Sequence, residues 1–248
     1  MIDRRDQLDA LYDVLARLED RCGGKRCLAE CDSTTGWPER GVYFFFEDDE
    51  VREDGQTPRV VRVGTHALRP SSTTLWRRLT QHKGNVGGIR PGGGNHRGSI
   101  FRLHVGAAKV ARGNWPSSLS ASWGVGSTAP TAVRAEEFTI EKAVSAYIGA
   151  MQLLCVAVED APGPKSDRGV IEAGTIALLS NYDRPPVDPP SARWLGRDAP
   201  SERVRSSGLW NVNHVRQHAD PRAIEVLAEH VAKGSAGVRT RRPLHNGS

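Results

Sequence analysis

Hydrophobic spacing in the first quarter of the chain predicts a helix followed by two paired strands. In residues 4–20 leucines and one tyrosine recur three or four positions apart, which is typical of one apolar helix face. The run GVYFFFE at 41–47 is apolar at nearly every position, so it predicts a strand that is buried on both faces. The segment RVVRVGTH at 59–66 predicts its partner, because an acidic, turn-forming stretch lies between them.

The rest of the chain alternates between helical patterns and segments rich in Gly, Ser and Pro. STTLWRRLTQHKG predicts a helix capped by Ser72 or Thr73 and ended by Gly84. Residues 100–111 fit either a strand or the start of a helix. AEEFTIEKAVSAYIGAMQLLCVAVED predicts a helix that leads into an apolar strand. Two further helices are predicted, at 167–182 and 221–233.

This order of elements indicates one fold class. A hairpin, a helix, a long insertion, a strand and a helix predict an α/β (α+β) core on a mainly antiparallel sheet. A length of 248 residues suits one elaborated domain. We expect an N-terminal helix and loop extension at 1–39, a core at 40–182 with an insertion at about 85–135, and a Pro-rich wrap, C-terminal helix and basic tail at 183–248.

Charge and hydropathy bear on the kinds of partner that the protein could bind. The formal net charge is +5 and the sequence pI is about 9.2, which is compatible with a polyanionic partner and equally with an ordinary basic protein. No apolar run is long enough to cross a bilayer. The N-terminal segment is charged and amphipathic and lacks the apolar centre of a signal peptide. These features predict a cytoplasmic protein without a membrane partner.

The cysteines predict neither disulfides nor a metal site. Cys22, Cys27 and Cys31 are spaced by five and four residues, and Cys155 is remote. A structural zinc site would favour a CxxC-type pair and a fourth ligand. Reduced thiols are therefore the favoured interpretation.

A set of chemically active residues is distributed over the predicted elements in a recognisable order. Tyr43 lies in GVY on the first strand, Arg62 lies in RVG on the second, and Arg78 and His82 lie four positions apart on a helix. Glu172 lies on a later helix, in IEAGTIALLSN. These four pieces, in this order, resemble the GIY-YIG nuclease family. Arg62 stands where the family usually has a second tyrosine. A literal YIG at 147–149 lies inside an apolar helix, where core packing explains it.

The resemblance implies a metal-dependent endonuclease that hydrolyses DNA phosphodiester bonds, in the manner of a restriction or defence enzyme. Tyr43 would act as the general base or would orient the attacking water. Arg78 would bind the scissile phosphate with two hydrogen bonds. His82 would polarise Tyr43 or the water, or relay a proton. Glu172 would hold one divalent ion, Mg²⁺ (or Mn²⁺), and the substrate phosphate would complete that site.

The departure at Arg62 suggests a hypothesis about the tyrosine. A free tyrosine has a pKa near ~10, so it needs a cationic neighbour to act as a base at neutral pH. Arg62 on the paired strand is placed to be that neighbour. The hypothesis implies that Arg62→Ala would shift the pH–rate profile to higher pH.

The nucleic-acid contacts are less well defined by the sequence. The Gly-rich stretch at 84–99 lacks the GK[ST] of a P-loop and predicts a flexible loop, in which Asn95, His96 and Arg97 could contact bases or phosphates. Three tryptophans could stack on unpaired bases, although core or lid packing is the favoured interpretation: Trp115, Trp123 and Trp210. DNA is the expected partner ahead of RNA, and a double-strand cut would require a homodimer or two sequential nicks.

Two other functions remain open at this level. A catalytically silent nucleic-acid-binding module would retain the motifs without the reaction, and the missing second tyrosine favours it. A protein-interaction scaffold would use the N-terminal and Pro-rich segments. Each site residue also has a structural interpretation: Tyr43 as a buried strand tyrosine, Arg78 as a solvated arginine, His82 as a favourable residue near a helix C-terminus, and Glu172 as an ion-pair partner of the arginine four residues earlier.

Overall fold

The computed structural model describes residues 3–84, 93–163 and 165–234. Within them the strands form one four-stranded sheet of order β1-β4-β2-β3. Every neighbouring pair is antiparallel. The strands are β1 (Arg26–Cys27), β2 (Gly41–Val51), β3 (Pro58–Gly64) and β4 (Gln152–Ala157). The sheet and the helices around it confirm the predicted α/β fold class.

The helices occupy most of the predicted positions. They are α1 (Arg4–Cys22), α2 (Leu75–Lys83), α3 (Ile100–Arg112), α4 (Ser117–Ser122), α5 (Thr131–Glu136), α6 (Phe138–Ala150), α7 (Asp167–Leu179), α8 (Glu202–Ser207) and α9 (Arg222–Lys233). The segment that fitted either a strand or a helix is thus the helix α3. Among the described helices, none has the length and apolar character needed to span a bilayer.

The sheet lies between two helical layers. Val42, Phe44 and Phe46 of β2 join a core cluster with α1, α7 and α9. Tyr43 and Phe45 point to the opposite side and join a second cluster with α2, α3 and α6. Successive side chains of a strand point to opposite faces. The near-continuous apolar run of β2 therefore follows from burial on both faces, as the sequence predicted.

The cap of α2 differs from the prediction. The Thr74 side chain accepts a hydrogen bond from the Arg77 backbone N–H at 3.2 Å, whereas the sequence predicted Ser72 or Thr73 as the cap. Thr74 has an extended backbone, and its hydroxyl therefore reaches the third backbone N–H of the helix. The helix ends at Gly84 as predicted, with a positive φ of 76°.

The two predicted extensions contribute to the core. Leucines of α1 pack in the same cluster as α7 and α9. The Arg4 guanidinium donates to the Asn181 side-chain oxygen at 2.8 Å, which ties α1 to the residues that follow α7. Trp194 and Trp210 of the C-terminal region are buried, and both indole N–H groups donate to the Glu47 carboxylate. The motif region therefore packs as one body with both flanking segments.

The YIG sequence of α6 has the structural role that the sequence analysis favoured. Tyr147 packs against the second core cluster, and its hydroxyl donates to Glu47 at 2.6 Å. Gly149 is buried within the same helix, against Ala29. The tripeptide lies in a helix–sheet interface.

The four thiols are free. The Cys27 thiol donates to the Gly149 carbonyl at 3.2 Å, and the Cys31 thiol donates to the Cys27 carbonyl at 3.3 Å. Burial raises the pKa of the Cys155 thiol well above its ordinary value and raises that of Cys31 to about 11. The thiol form is thereby favoured at both sites.

Candidate active site

The two motif glycines allow close packing around the first motif, at Tyr43 and between β2 and β4. Gly64 is directly opposite Tyr43 in the β2–β3 register. A Cβ atom at Gly64 would lie 2.3 Å from the Tyr43 hydroxyl oxygen, and a Cβ atom at Gly41 would lie 2.3 Å from the Val156 carbonyl oxygen of β4. Any side chain at either position would collide with these atoms. The GVY and RVG glycines therefore allow the tyrosine ring and the central strands to approach closely.

Tyr43, His82 and Ser99 form a continuous hydrogen-bonded chain. The Tyr43 hydroxyl lies 2.8 Å from His82 Nε2, and His82 Nδ1 lies 2.8 Å from Ser99 Oγ. The helix α2 buries Leu75, Leu79 and His82 against the sheet, which brings the imidazole to the tyrosine. Tyr43 is 1% exposed and His82 is 0% exposed. These hydrogen-bonded side chains therefore lie under the surface, at one end of the β2–β3 pair.

The charge state of His82 follows from its surroundings. Burial, and then the positive charges of nearby arginines, hold the pKa of this imidazole well below its ordinary value. The ring is therefore neutral at physiological pH, with one N–H and one lone pair. If Nδ1–H donates to Ser99, the lone pair of Nε2 accepts the Tyr43 hydroxyl proton. Ser99 Oγ also accepts the Arg102 backbone N–H at 3.3 Å. A hydroxyl oxygen has two lone pairs, so it can accept Nδ1–H as well.

Arg62 lies beside the tyrosine on β3. It is 5% exposed, its Nη1 donates to the Trp210 carbonyl at 2.8 Å, and its guanidinium carbon lies 4.5 Å from the centre of the Phe101 ring. Burial lowers the pKa of the guanidinium, and its interaction with Tyr43 raises it. The structure thus places a cation beside Tyr43, where the sequence analysis predicted one.

Arg78 lies within the same electrostatic neighbourhood. Its positive charge contributes to lowering the pKa values of Arg62, His82 and Glu172. The side chain is half-buried, and Nη1 donates to the Gln81 side-chain oxygen at 2.9 Å. Arg77, the preceding residue, is exposed.

Glu172 approaches the site from the other helical layer. Its Oε1 accepts the backbone N–H of Thr65 at 3.2 Å, directly after the end of β3. Burial raises the pKa of this carboxyl group, and the charges of His214 and Arg62, the Thr65 N–H and the Arg78 charge oppose that effect in decreasing order. The site is therefore assembled around the end of β3 from residues on both faces of the sheet.

The alternative partner of Glu172 is engaged elsewhere. Arg168, four residues earlier on α7, forms its ion pair with Asp160, and its Nη1 donates to the His66 carbonyl at 2.6 Å. The carboxylate of Glu172 is thus not held by a helical i, i+4 ion pair.

Glu172 fits a weakly held divalent ion. Among the described residues its Oε2 has no hydrogen-bond partner. The same described residues contain no cluster of three or more His, Cys, Asp or Glu side chains with metal-site geometry. One available carboxylate oxygen suits Mg²⁺ or Mn²⁺ when a substrate phosphate and water supply the remaining ligands.

The predicted nucleic-acid residues at 95–97 have other roles. His96 is 2% exposed, with Nδ1 2.9 Å from Glu141 and Nε2 accepting the Gly124 N–H. The guanidinium of Arg97 binds both carboxylate oxygens of Glu137, at 2.7 and 2.9 Å. The structure therefore contradicts the prediction that these two side chains are free for DNA, because buried internal carboxylates hold them.

Asn95 is exposed and caps the turn that follows it. Residues 85–92 of the Gly-rich stretch lie outside the described residues.

The tryptophans follow the packing interpretation. Trp210 and Trp123 belong to the second core cluster, and the half-buried Trp115 donates its indole N–H to the Lys109 carbonyl at 2.9 Å. Residues 235–248, which include the basic tail, lie outside the described residues.

Ser99 and His214 belong to this neighbourhood and were not predicted. Ser99 is the last residue of the Gly-rich stretch, and its only sequence signal is that of a helix cap before α3. His214 lies in an irregular segment of the C-terminal region, with no local pattern around it. Only packing brings either residue to the site.

Comparison with known proteins supplies the family. A model of the GIY-YIG domain matches residues 2–236. This range includes α1 and the C-terminal helices, so it is wider than the motif region at 40–182. No curated protein and no solved structure matches the chain.

Proposed function

Because the chain belongs to the GIY-YIG domain family, we propose that it is a metal-dependent endonuclease that hydrolyses phosphodiester bonds of DNA. Proteins with this domain are generally endonucleases that act on DNA with divalent ions. The observation that carries the proposal for this chain is the hydrogen-bonded pair Tyr43–His82, at 2.8 Å, beside Arg78 and Glu172 at one end of β3.

Tyr43 and His82 would handle the proton of the attacking water. As Tyr43 takes a proton from water, its own hydroxyl proton passes to His82 Nε2, and the hydroxide attacks phosphorus. In the free protein burial, and then the arginine charges, disfavour a protonated imidazole. A bound phosphodiester brings a negative charge that offsets the arginine charges, so substrate binding favours this transfer. Substrate binding must also expose Tyr43, because its side chain is buried in the free protein.

Arg78 and Glu172 would act on the phosphate. The half-buried Arg78 guanidinium can donate two hydrogen bonds to the non-bridging oxygens and so stabilise the charge that develops on them. Glu172 would hold the divalent ion through Oε2, while Oε1 remains on the Thr65 N–H. When bound there, Mg²⁺ or Mn²⁺ supplies Lewis-acid stabilisation of the phosphate and the leaving oxygen.

Supercoiled plasmid tests this proposal. Purified protein should nick or linearise it with Mg²⁺ or Mn²⁺ and should fail to do so with EDTA. We expect Glu172→Gln and Arg78→Ala each to lower the rate by on the order of 100-fold, because each removes a charge that acts on the phosphate. Arg77→Ala is the matched control for Arg78→Ala. It removes an exposed arginine from the same helix and should leave the rate within about twofold.

The products would define the finer function. Discrete fragments would indicate sequence-specific cleavage of the restriction type, whereas a smear would indicate cleavage without sequence preference. Equal rates in Arg78→Ala and wild type would contradict the phosphate role. Cleavage of RNA with intact plasmid would assign the reaction to the other nucleic acid.

A catalytically silent nucleic-acid-binding module is the second candidate. The burial of Tyr43 and His82, together with Arg62 in place of the second tyrosine, favours it. Such a module would bind a labelled duplex with salt-dependent affinity and leave supercoiled, linear and single-stranded DNA intact.

A further inference from the structure

The edge segment, residues 210–217, lies along the outer edge of β3 beside the candidate active site. Its first residue donates a backbone N–H to β3 at 2.8 Å. The Asn211 side chain accepts the Val63 N–H at 3.1 Å and donates to the Val63 carbonyl at 2.8 Å. Val212 packs against the core cluster that contains Tyr43. Neighbouring strands lie about 4.8 Å apart, so the edge segment is roughly 10 Å from β2, across β3.

Positive side chains surround this segment, and acidic ones are absent from it. Residues 203–219 contain three arginines, two histidines and no aspartate or glutamate. Three backbone carbonyls of the edge segment each accept a guanidinium N–H: that of Trp210 from Arg62 at 2.8 Å, that of Val212 from Arg203 at 3.2 Å, and that of Gln217 from Arg184 at 2.9 Å. The edge beside the site is therefore suited to a polyanion.

Two of these cations are exposed and available, Arg203 and Arg216. Arg203, on α8, donates one N–H to the Val212 carbonyl. The Arg216 guanidinium carbon lies 4.6 Å from the centre of the Tyr182 ring, and its Nη2 donates to the Tyr182 hydroxyl. In the described part of the chain neither guanidinium forms an ion pair with a carboxylate. A guanidinium has five N–H donors, so each retains donors for phosphate oxygens.

We propose that the edge segment binds the backbone of duplex DNA, with Arg203 and Arg216 on phosphates outside the scissile one. The inference rests on the proposed function, because it takes the polyanion beside the site to be the substrate. Phosphates of one strand recur every ~3.4 Å along the duplex axis, so a cation roughly 10 Å from β2 reaches a phosphate about three nucleotides from the scissile one. Phosphate contacts carry no sequence information, so they orient the duplex without selecting bases.

The test measures binding of a labelled DNA duplex by fluorescence anisotropy in EDTA, over a series of KCl concentrations. The double variant Arg203→Gln, Arg216→Gln removes both charges, while each glutamine retains an amide donor for the Val212 carbonyl or the Tyr182 hydroxyl. We expect the slope of log affinity against log salt concentration to decrease in magnitude by about 2, and the affinity to fall by on the order of tenfold. Duplexes of unrelated sequence should lose affinity equally.

Two further variants separate charge from structure. Arg205→Gln is the matched control, because Arg205 is an exposed arginine of the same helix whose Nη1 donates to the Ala199 and Pro200 carbonyls, at 2.6 and 2.8 Å, on the side away from the edge segment. It should leave the slope and the affinity unchanged. The double variant Arg203→Lys, Arg216→Lys keeps both charges and should restore the slope. A glutamine variant with the slope of the wild type, or a lysine variant with the slope of the glutamine variant, would overturn the inference.

Because the binding test contains no metal, its outcome is separate from that of the cleavage test. Duplex binding that depends on these arginines, in a protein that leaves plasmid intact with Mg²⁺ or Mn²⁺, would support the surface and contradict the nuclease. Plasmid cleavage with equal duplex binding by the wild type and the glutamine variant would support the nuclease and overturn the surface. Binding of duplex RNA without binding of duplex DNA would overturn the choice of DNA.

Discussion

A single hydroxyl group, that of Ser99, connects secondary structure to the candidate chemistry. Ser99 Oγ accepts the Arg102 backbone N–H at the start of α3 and lies 2.8 Å from His82 Nδ1. Arg102 adds a second restraint, because its Nη1 donates to the His82 carbonyl at 2.9 Å. The residues that begin α3 therefore orient the imidazole that faces Tyr43. We assign Ser99 a positioning role, since it acts through His82.

Ser99→Ala tests this role. Loss of the hydroxyl removes the partner of His82 Nδ1, so the ring and its N–H are no longer fixed toward Tyr43. We expect the single-turnover nicking rate to fall by about tenfold and its pH dependence to change, because the proton transfer is disturbed. Ser99→Thr keeps both the hydroxyl and the helix cap and should restore the rate and the profile. A Ser99→Ala profile that coincides with the wild type would contradict the role.

At the scale of elements, the outer edge of β3 is hydrogen-bonded by Trp210 and Asn211, which do not belong to a strand. The Asn211 amide satisfies both Val63 backbone groups, and Arg62 donates to the Trp210 carbonyl. Sheet edges with unpaired backbone groups are commonly covered in this way. The cover also fixes the position of β3, on which Gly64 lies opposite Tyr43 and Arg62 lies opposite Phe45, with the Arg62 side chain interacting with Tyr43.

Asn211→Ala should expose this dependence. It leaves the N–H and the carbonyl of Val63 without partners in a buried setting, and an unsatisfied buried group costs about 1–3 kcal/mol. We expect the free energy of unfolding in urea to fall by about 2 kcal/mol or more. Asn213→Ala is the matched control, since Asn213 is exposed on the same segment, and it should change that energy by less than about 0.5 kcal/mol. Equal stabilities of the two variants would show that the amide does not support the edge.

At the scale of the whole molecule, buried neutral histidines make the fold sensitive to acid. His66 is 6% exposed, its Nε2–H faces the Glu39 carbonyl at 3.2 Å, and its Nδ1 has no partner in the described residues. Burial, and then the positive charge of Arg168, lowers its pKa to about 4. In the unfolded chain a histidine has a pKa near ~6.5. Between these values the unfolded state binds more protons than the folded state.

The sign of the pH effect follows. The contribution of neutral His66 to the free energy of unfolding is fully present above about pH 6.5. It is lost as the pH falls toward 4, at no more than ~1.4 kcal/mol per pH unit for this one group. Urea denaturation from pH 7.5 to pH 4.5 measures this loss. His66→Gln should flatten the profile in that window while it remains able to donate to the Glu39 carbonyl. A profile of His66→Gln as steep as that of the wild type would assign the acid sensitivity to other groups.

Several elements of this protein were predictable from short-range pattern alone. Apolar positions three or four apart identified α1, a capping residue and a terminal glycine identified α2, and the continuous apolar run identified β2 as a strand buried on both faces. The spacing of Arg78 and His82 implied a shared helix side; the structure places His82 2.8 Å from the Tyr43 hydroxyl, and the charge of Arg78 acts on the pKa of His82. These predictions succeeded because helix and strand periods are local properties of the chain.

Sequence by itself therefore determined the longer helices, the three main strands, the fold class and the motif residues that implied the family. Tertiary structure alone decided which polar groups are available. It buried His96 and Arg97 against internal carboxylates, and it brought Ser99 to His82. The physical reason is that periodicity is set by neighbours in the chain. A contact between residues far apart in sequence is set by how the layers pack, and no local pattern records it.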